Sequence, residues 1–157
     1  MEKIVIGADH GGFELKLRLV RQLKEQGYQS IDAGTFSSEP CDYPFIGAKV
    51  AKFVSDGKPG RGILLCKSGG GMAVVANKFP GVRAVVCQTV VSAKHAREHN
   101  DANVLVLGAE HLPFPRAQAI LQSWLKTPFG GGRHARRIRQ IERIEKTMLC
   151  EKKRSGR

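Results

Sequence analysis

No apolar run in this chain approaches the roughly 20 residues that a bilayer-spanning helix requires. The runs that occur, such as Ala84-Val85-Val86-Cys87, have the length of a buried strand, so no transmembrane helix is expected. Residues Met1 to Gly7 run straight into a strand-like pattern. They lack the ordered charged, apolar and small-residue regions of a secretory signal, and the expected location is the cytoplasm. Cysteine is scarce and dispersed: Cys41, Cys66, Cys87 and Cys150 form no C-x-x-C pair and no Cys/His spacing suited to zinc. Free thiols are expected, and no bound metal. The chain also lacks G-x-G-x-x-G, the spacing that admits a dinucleotide pyrophosphate, so no cofactor is expected. It shows no internal repeat.

What is present fits one ordinary globular domain of 157 residues, 41% hydrophobic and 25% charged. The net charge of +12 is unevenly placed: residues 133–157 carry ten Lys/Arg against three Glu, a net +7. Charge gathered at one end favours a local anion site and a solvated tail over a nucleic-acid-reading face, and neither nucleic acid nor a membrane is expected as a partner.

Apolar, β-rich runs alternate with amphipathic helical patterns. Strands are expected at Lys3 to Gly7, Ser30 to Ala33, Ile63 to Leu65, Ala84 to Val86 and Val104 to Leu107. Helices are expected at Gly12 to Gln26, Pro44 to Asp56, Met72 to Lys78, Ser92 to Glu98 and Pro113 to Lys126. Continuously apolar strands, each followed by a helix, imply a parallel sheet covered on both faces. The expected fold is a single α/β, Rossmann-like, doubly wound domain of about five parallel strands. Beyond Gly130-Gly131-Gly132, read as a flexible linker, Ile138, Ile141, Ile144 and Met148 recur at near-helical spacing. That apolar stripe needs a partner, either its own domain or a second subunit. The domain is expected to span residues 1–149, with residues 150–157 a basic, disordered tail.

In open parallel sheets ligands bind beyond the carboxyl ends of the strands, which directs attention to two loops. After the first strand, Gly7-Ala8-Asp9-His10-Gly11-Gly12 places a carboxylate and an imidazole where glycines permit close approach. Asp9 is read as a site residue, or else as a cap of the following helix. After the third strand comes Cys66-Lys67-Ser68-Gly69-Gly70-Gly71, a glycine run opening a helix. Its backbone N–H groups can converge on an oxyanion, and the same field, aided by Lys67, is expected to lower the pKa of Cys66 for base or nucleophile work. Later, His99 of Glu98-His99-Asn100-Asp101 can exchange protons near neutral pH or serve as a helix C-terminal cation. Arg133 and Arg137, four apart on one helical face, can grip one phosphate together.

At these residues the sequence closely resembles the ribose-5-phosphate isomerase type B family, which includes galactose-6-phosphate isomerase subunits. The likeness covers residues 1 to about 148. It rests on the two loops just quoted, with Phe13, and on Asp42-Tyr43-Pro44, Ala76-Asn77-Lys78, His99 to Leu105 and Gly131-Gly132-Arg133-His134. The resemblance implies a metal-free aldose–ketose isomerase of the pentose phosphate pathway: a homodimer, sometimes paired into tetramers, with each active site shared between subunits. It implies that Cys66 moves a proton between C1 and C2 of ribose 5-phosphate through an enediolate held by Gly69, Gly70 and Gly71. His99 would open the sugar ring, assisted by Asp9 and the Ser68 hydroxyl. Tyr43 and Asn100 would contact the sugar, and His10, Arg133 and Arg137 the phosphate, the arginines reaching across the dimer on the C-terminal helix.

Three positions depart from the family pattern. Lys67 and Ser68 stand where the usual loop has glycine and threonine, and Glu110 stands where many relatives carry a phosphate-binding arginine. Serine keeps the hydroxyl, whereas the Lys67 side chain either supplies an added cation or crowds the pocket. The sugar is thereby left open between five and six carbons, galactose or allose 6-phosphate among them. A non-catalytic sugar-phosphate-binding module is the reading from another class.

Overall fold

The computed structural model describes residues 2–58 and 60–154. Five strands alternate with six helices: β1 (Lys3–Ala8), α1 (Phe13–Glu25), β2 (Gln29–Asp32), α2 (Tyr43–Ser55), β3 (Arg61–Cys66), α3 (Gly70–Ala76), β4 (Ala84–Val86), α4 (Val90–Asn100), β5 (Val104–Gly108), α5 (Phe114–Lys126) and α6 (Gly132–Arg154). The sheet is parallel throughout, in the order β2-β1-β3-β5-β4. Because side chains alternate across a sheet, each buried strand feeds two cores. Ile4, Ile6, Ile63, Leu65, Leu105 and Leu107 meet the apolar faces of α1, α4 and α5, with Trp124 fully buried among them. Val5, Leu64, Cys66, Val104 and Val106 meet α2 and α3 on the opposite face. The expected doubly wound α/β fold is the one observed.

The register aligns the strand ends that matter. Ala8 pairs with Leu65, and Cys66 with Gly108, so the carboxyl ends of β1, β3 and β5 form one edge. From β1 the chain winds to β2 on one side, then returns to β3 on the other, which opens a crevice between the β1 and β3 loops.

Helix α1 buries Leu15, Leu19 and Leu23 as its spacing requires, and it also buries Lys16 completely. The Lys16 ammonium donates to both carboxylate oxygens of Asp32, at 2.6 and 2.7 Å, and to the Thr35 carbonyl at 2.6 Å. Removing one partner of a fully buried ion pair costs about 3–5 kcal/mol. Asp32 keeps 31% of its side chain exposed, so water compensates part of that loss. Lys16→Ala is expected to lower unfolding stability by about 2–3 kcal/mol, read as a lower urea midpoint.

Three expectations are corrected. Helix α4 starts at Val90 rather than Ser92, because Thr89 and Ser92 form a reciprocal capping box upstream. The triple glycine is a fitted turn rather than a loose linker. Gly130 donates to the Glu98 carbonyl at 2.9 Å, a Cβ there would stand 3.0 Å from that oxygen, and Gly131 and Gly132 take positive φ. Helix α6 does not end near residue 149 but continues through Arg154, since Glu151, Lys152, Lys153 and Arg154 are good helix formers with no breaker among them. Residues 155–157 of the expected disordered tail lie outside the described residues. No helix among the described residues is long and apolar enough to cross a membrane.

Candidate active site

At the carboxyl edge, Asp9, His10, Tyr43, Cys66, Lys67, Ser68 and Gly71 line a cleft of about 360 Å³. Cys66 ends β3 and is 5% exposed, with its sulfur facing the cleft end of the α2–α3 core. The Gly69 N–H donates to Cys66 Sγ at 3.1 Å, a bond that becomes charge-assisted when the thiol ionises. Gly69 takes a left-handed φ of 84°, which turns the chain so that this donor points back at the sulfur. The Ser68 hydroxyl accepts from Gly70 N–H at 3.3 Å. The first α-helical bond of α3 runs from Ala73 to Gly69, so the N–H groups of Gly71 and Met72 precede its ladder, as donors at the head of a helix do.

Two close backbone approaches shape this loop. A Cβ on Gly108 would lie 2.6 Å from the Ser68 carbonyl oxygen, and a Cβ on Gly71 would lie 2.5 Å from Tyr43 Cζ. The first presses the loop against β5, and the second lets the phenol lie over the start of α3. Asp9 combines both roles considered for it: Oδ1 accepts from Gly12 N–H at 3.2 Å at the head of α1, and the same carboxylate lines the cleft. His10 Nδ1 accepts the Cys41 N–H at 3.2 Å, which leaves Nε2 to carry the proton of a neutral ring and act as a donor.

Lys67 does not fill the cleft. Its stem rests on Gly11, where a Cβ would stand 2.8 Å from Lys67 Cγ, and the side chain lines both the cleft and a neighbouring 440 Å³ cavity. That second cavity, with Gln88, Thr89, Glu110, His111 and Arg116 in its walls, has no counterpart in the sequence reading.

His99, Asn100, Arg133 and Arg137 are not brought to this cleft within one chain. Helix α4 descends from the carboxyl edge and ends at the amino edge, where Gly62 N–H meets the Asn103 carbonyl and Arg83 Nε donates to the Asn100 carbonyl. Gly62 to Cys66 is four strand residues, about 13 Å at ~3.3 Å each, and this separates the two groups. Helix α6 crosses the same amino edge: its Glu145 carboxylate accepts the Gly81 N–H at 3.0 Å. Ile138 is buried beneath it, whereas Ile141, Ile144 and Met148 stay 50–64% exposed.

Sequence reasoning missed His95 and His134. Both rings stack on His99, at centroid distances of 4.7 and 4.4 Å. The four-residue spacing of His95 and His99 was a legible signal; the approach of His134 was not. Partial burial, followed by the neighbouring His99, Arg133 and Arg137, holds the His134 imidazole below its ordinary value, against the opposing pull of Glu98. Other motif residues prove structural. Asn77 brackets Ala84 with two hydrogen bonds, Asn103 ties Gly81 and Arg83, and Asp101 pairs with Arg83 and Arg97.

A family model described as ribose/galactose isomerase matches residues 4–141 of this sequence. The chain belongs to the ribose/galactose isomerase family. Within that family it is similar to ribose-5-phosphate isomerase B of Escherichia coli (strain K12), 46% identical over 92% of this chain and 97% of the relative. Its fold is that of ribose-5-phosphate isomerase B from Clostridium thermocellum, with a TM-score of 0.91 and 48% identity over 93% of this chain and 99% of the other. It also superposes on the Mycoplasma genitalium ribose-5-phosphate isomerase B solved with bound ribulose-5-phosphate, at TM-score 0.89 and 36% identity over 92% and 96% of the two chains.

The thiols of this chain differ in burial. Burial pushes the Cys87 thiol up to about 11, and the Ser92 hydrogen bond recovers only part of that shift. Below that pH Cys87 remains a thiol, and only the thiolate attacks an alkylating reagent. Iodoacetamide at pH 8 is expected to label exposed Cys150 and leave Cys87 unmodified, with Cys87 labelling rising only as pH approaches 11; peptide mass spectrometry reads this directly.

Proposed function

We propose that this chain interconverts ribose 5-phosphate and ribulose 5-phosphate by proton transfer through an enediolate, and that its working unit is a homodimer. The observation that carries the reading is Cys66 Sγ, held by the Gly69 N–H in a cleft that also contains Asp9, His10, Tyr43 and Ser68. Relatives at 46 and 48% identity named ribose-5-phosphate isomerase B support the substrate pair.

The chemistry follows from the groups in place. On the open-chain aldose, the Cys66 thiolate takes the proton from C2, the C2–H electrons form the C1=C2 double bond, and negative charge moves onto O1. The Gly71 N–H, the loop donor not engaged by Cys66 or Ser68, stabilises that oxyanion. The O2 hydroxyl proton passes to O1, which leaves the negative charge on O2; the thiol then returns its proton to C1, and the electron pair on O2 forms a carbonyl at C2, which gives the ketose. Neither step needs a metal. Among the described residues no cluster of three or more His, Cys, Asp or Glu is placed to hold one.

The cleft by itself lacks the ring-opening acid and the arginine pair. A twofold-related second copy supplies both when its amino edge, with His99, Asn100, Arg133 and Arg137, docks on this carboxyl edge. The exposed Ile141, Ile144 and Met148 stripe of α6 gives such a dimer apolar surface to bury. His10 Nε2 and the arginines then converge on the phosphate, Tyr43 and Asn100 on the sugar hydroxyls, and Lys67 adds a cation beside them. The same reading places the enzyme in the cytoplasm, in pentose phosphate metabolism.

The test is turnover by purified protein in excess EDTA, on ribose 5-phosphate beside galactose and allose 6-phosphates. Faster conversion of the five-carbon sugar is the expected result. Preference for a six-carbon phosphate would move the assignment to another sugar, and no turnover on any of them would leave a binding module.

A further inference from the structure

Two imidazoles stack on His99: His95, one turn earlier on α4, with an interplanar angle of 19°, and His134 of α6 at 14°. Both neighbours are themselves held. The end of α4 is fixed by Arg97, which donates to Asp101 and to the Ala102 carbonyl. The start of α6 is fixed by the Gly130 bond to Glu98 and, further along, by Glu145 on Gly81.

The physical consequence concerns one torsion. The χ2 angle of histidine has a broad, shallow preference, so an imidazole on a helix surface samples many ring planes. Two near-parallel rings stacked on it favour one. Opening a cyclic aldose demands such restriction, because the acid must deliver its proton along the lone pair of the ring oxygen while the C1–O4 bond breaks. In that step the His99 N–H proton goes to O4. The O1 hydroxyl proton goes to Asp9 of the cleft it faces, and the O1 lone pair closes the C1=O1 carbonyl.

We propose that His95 is a positioning residue for ring opening, fixing the plane of the His99 imidazole together with His134 of α6. The proposal rests on the isomerase reading and adds a residue to it. His95 is exposed, and its ring stacks on that of His99.

The two directions of the reaction separate this role from a structural one. Ribose 5-phosphate is mostly a ring. Ribulose 5-phosphate is open-chain, because the O5 that would close its furanose carries the phosphate, and it can be isomerised to the open aldose without the acid. Steady-state kinetics of His95→Ala are expected to show kcat on ribose 5-phosphate lowered about tenfold, the scale of one lost aromatic stack, with KM little changed. The initial rate of ribulose 5-phosphate isomerisation to open aldose, trapped chemically as it forms, is expected to match wild type. His95→Phe, which keeps a flat ring at that position, is expected to recover most of the loss. An unchanged His95→Ala, equal losses in both directions, or a His95→Phe as slow as His95→Ala would each overturn the proposal while leaving the isomerase reading intact. Wild-type protein inactive in both directions would instead overturn the reading on which it rests.

Discussion

Cys66→Ala is expected to lower kcat for ribose 5-phosphate by about 10²–10⁴-fold, the range a positioned general base supplies. The reason is local. The substitution removes the only sulfur lining the cleft and leaves the glycine loop, Asp9 and Tyr43 to bind substrate as before. KM is therefore expected to stay within a few-fold of wild type, which separates lost proton transfer from lost binding. Folding should tolerate the change, because Cys66 lies at the end of β3 rather than in the middle of the core, and its sulfur accepts one hydrogen bond, from a loop amide. Cys66→Ser is the sharper version. It keeps an acceptor for the Gly69 N–H, but the hydroxyl ionises far less readily than a thiol, so it is expected to be nearly as slow as the alanine variant. Activity within threefold of wild type in either variant would remove Cys66 from the chemistry and direct attention to Asp9, the remaining base in the cleft.

Mixing two inactive proteins is expected to restore activity. Cys66→Ala spoils the carboxyl edge and His99→Asn the amino edge, and within one chain these edges lie about 13 Å apart along the sheet. In the proposed twofold dimer each site would take its cysteine from one subunit and its histidine from the other. After subunits exchange at random, about half of the dimers are mixed, and each mixed dimer has one site with both residues intact and one with neither. Recovery to about a quarter of wild-type activity is the expected result, against near zero for either variant alone. Sites contained within single subunits would give no recovery at any ratio. The assay therefore distinguishes a shared site from a dimer that merely happens to form.

The strands were legible because burial on both faces leaves a continuous apolar run, and β1, β3 and β5 show that run plainly. The order in which they pair was not. Placing β5 between β3 and β4 depends on which way each crossover turns, and periodicity carries no record of it. The cleft was legible for a similar reason: in a doubly wound sheet the loops after β1 and β3 open at the same edge, so Asp9, His10 and Cys66 had to be neighbours. Lys67 was ambiguous in sequence, since a lysine beside a catalytic cysteine reads as a helper or as an obstruction. The backbone of Gly11 settles where its stem lies.

What the amino-acid sequence determined by itself was local: strand and helix periods, the glycine run after β3, a thiol at its head, and arginines one turn apart on α6. These depend on residues within a few positions of one another. Only the tertiary structure decided the rest, because it concerns atoms brought together from distant parts of the chain. It put His99 at the opposite end of the sheet from Cys66, fitted Gly130 against Glu98 so that α6 could dock, and closed a stack of three imidazoles from two helices. Each of those contacts joins surfaces whose approach is set by sheet register and helix packing, over separations that no local pattern of residues can encode.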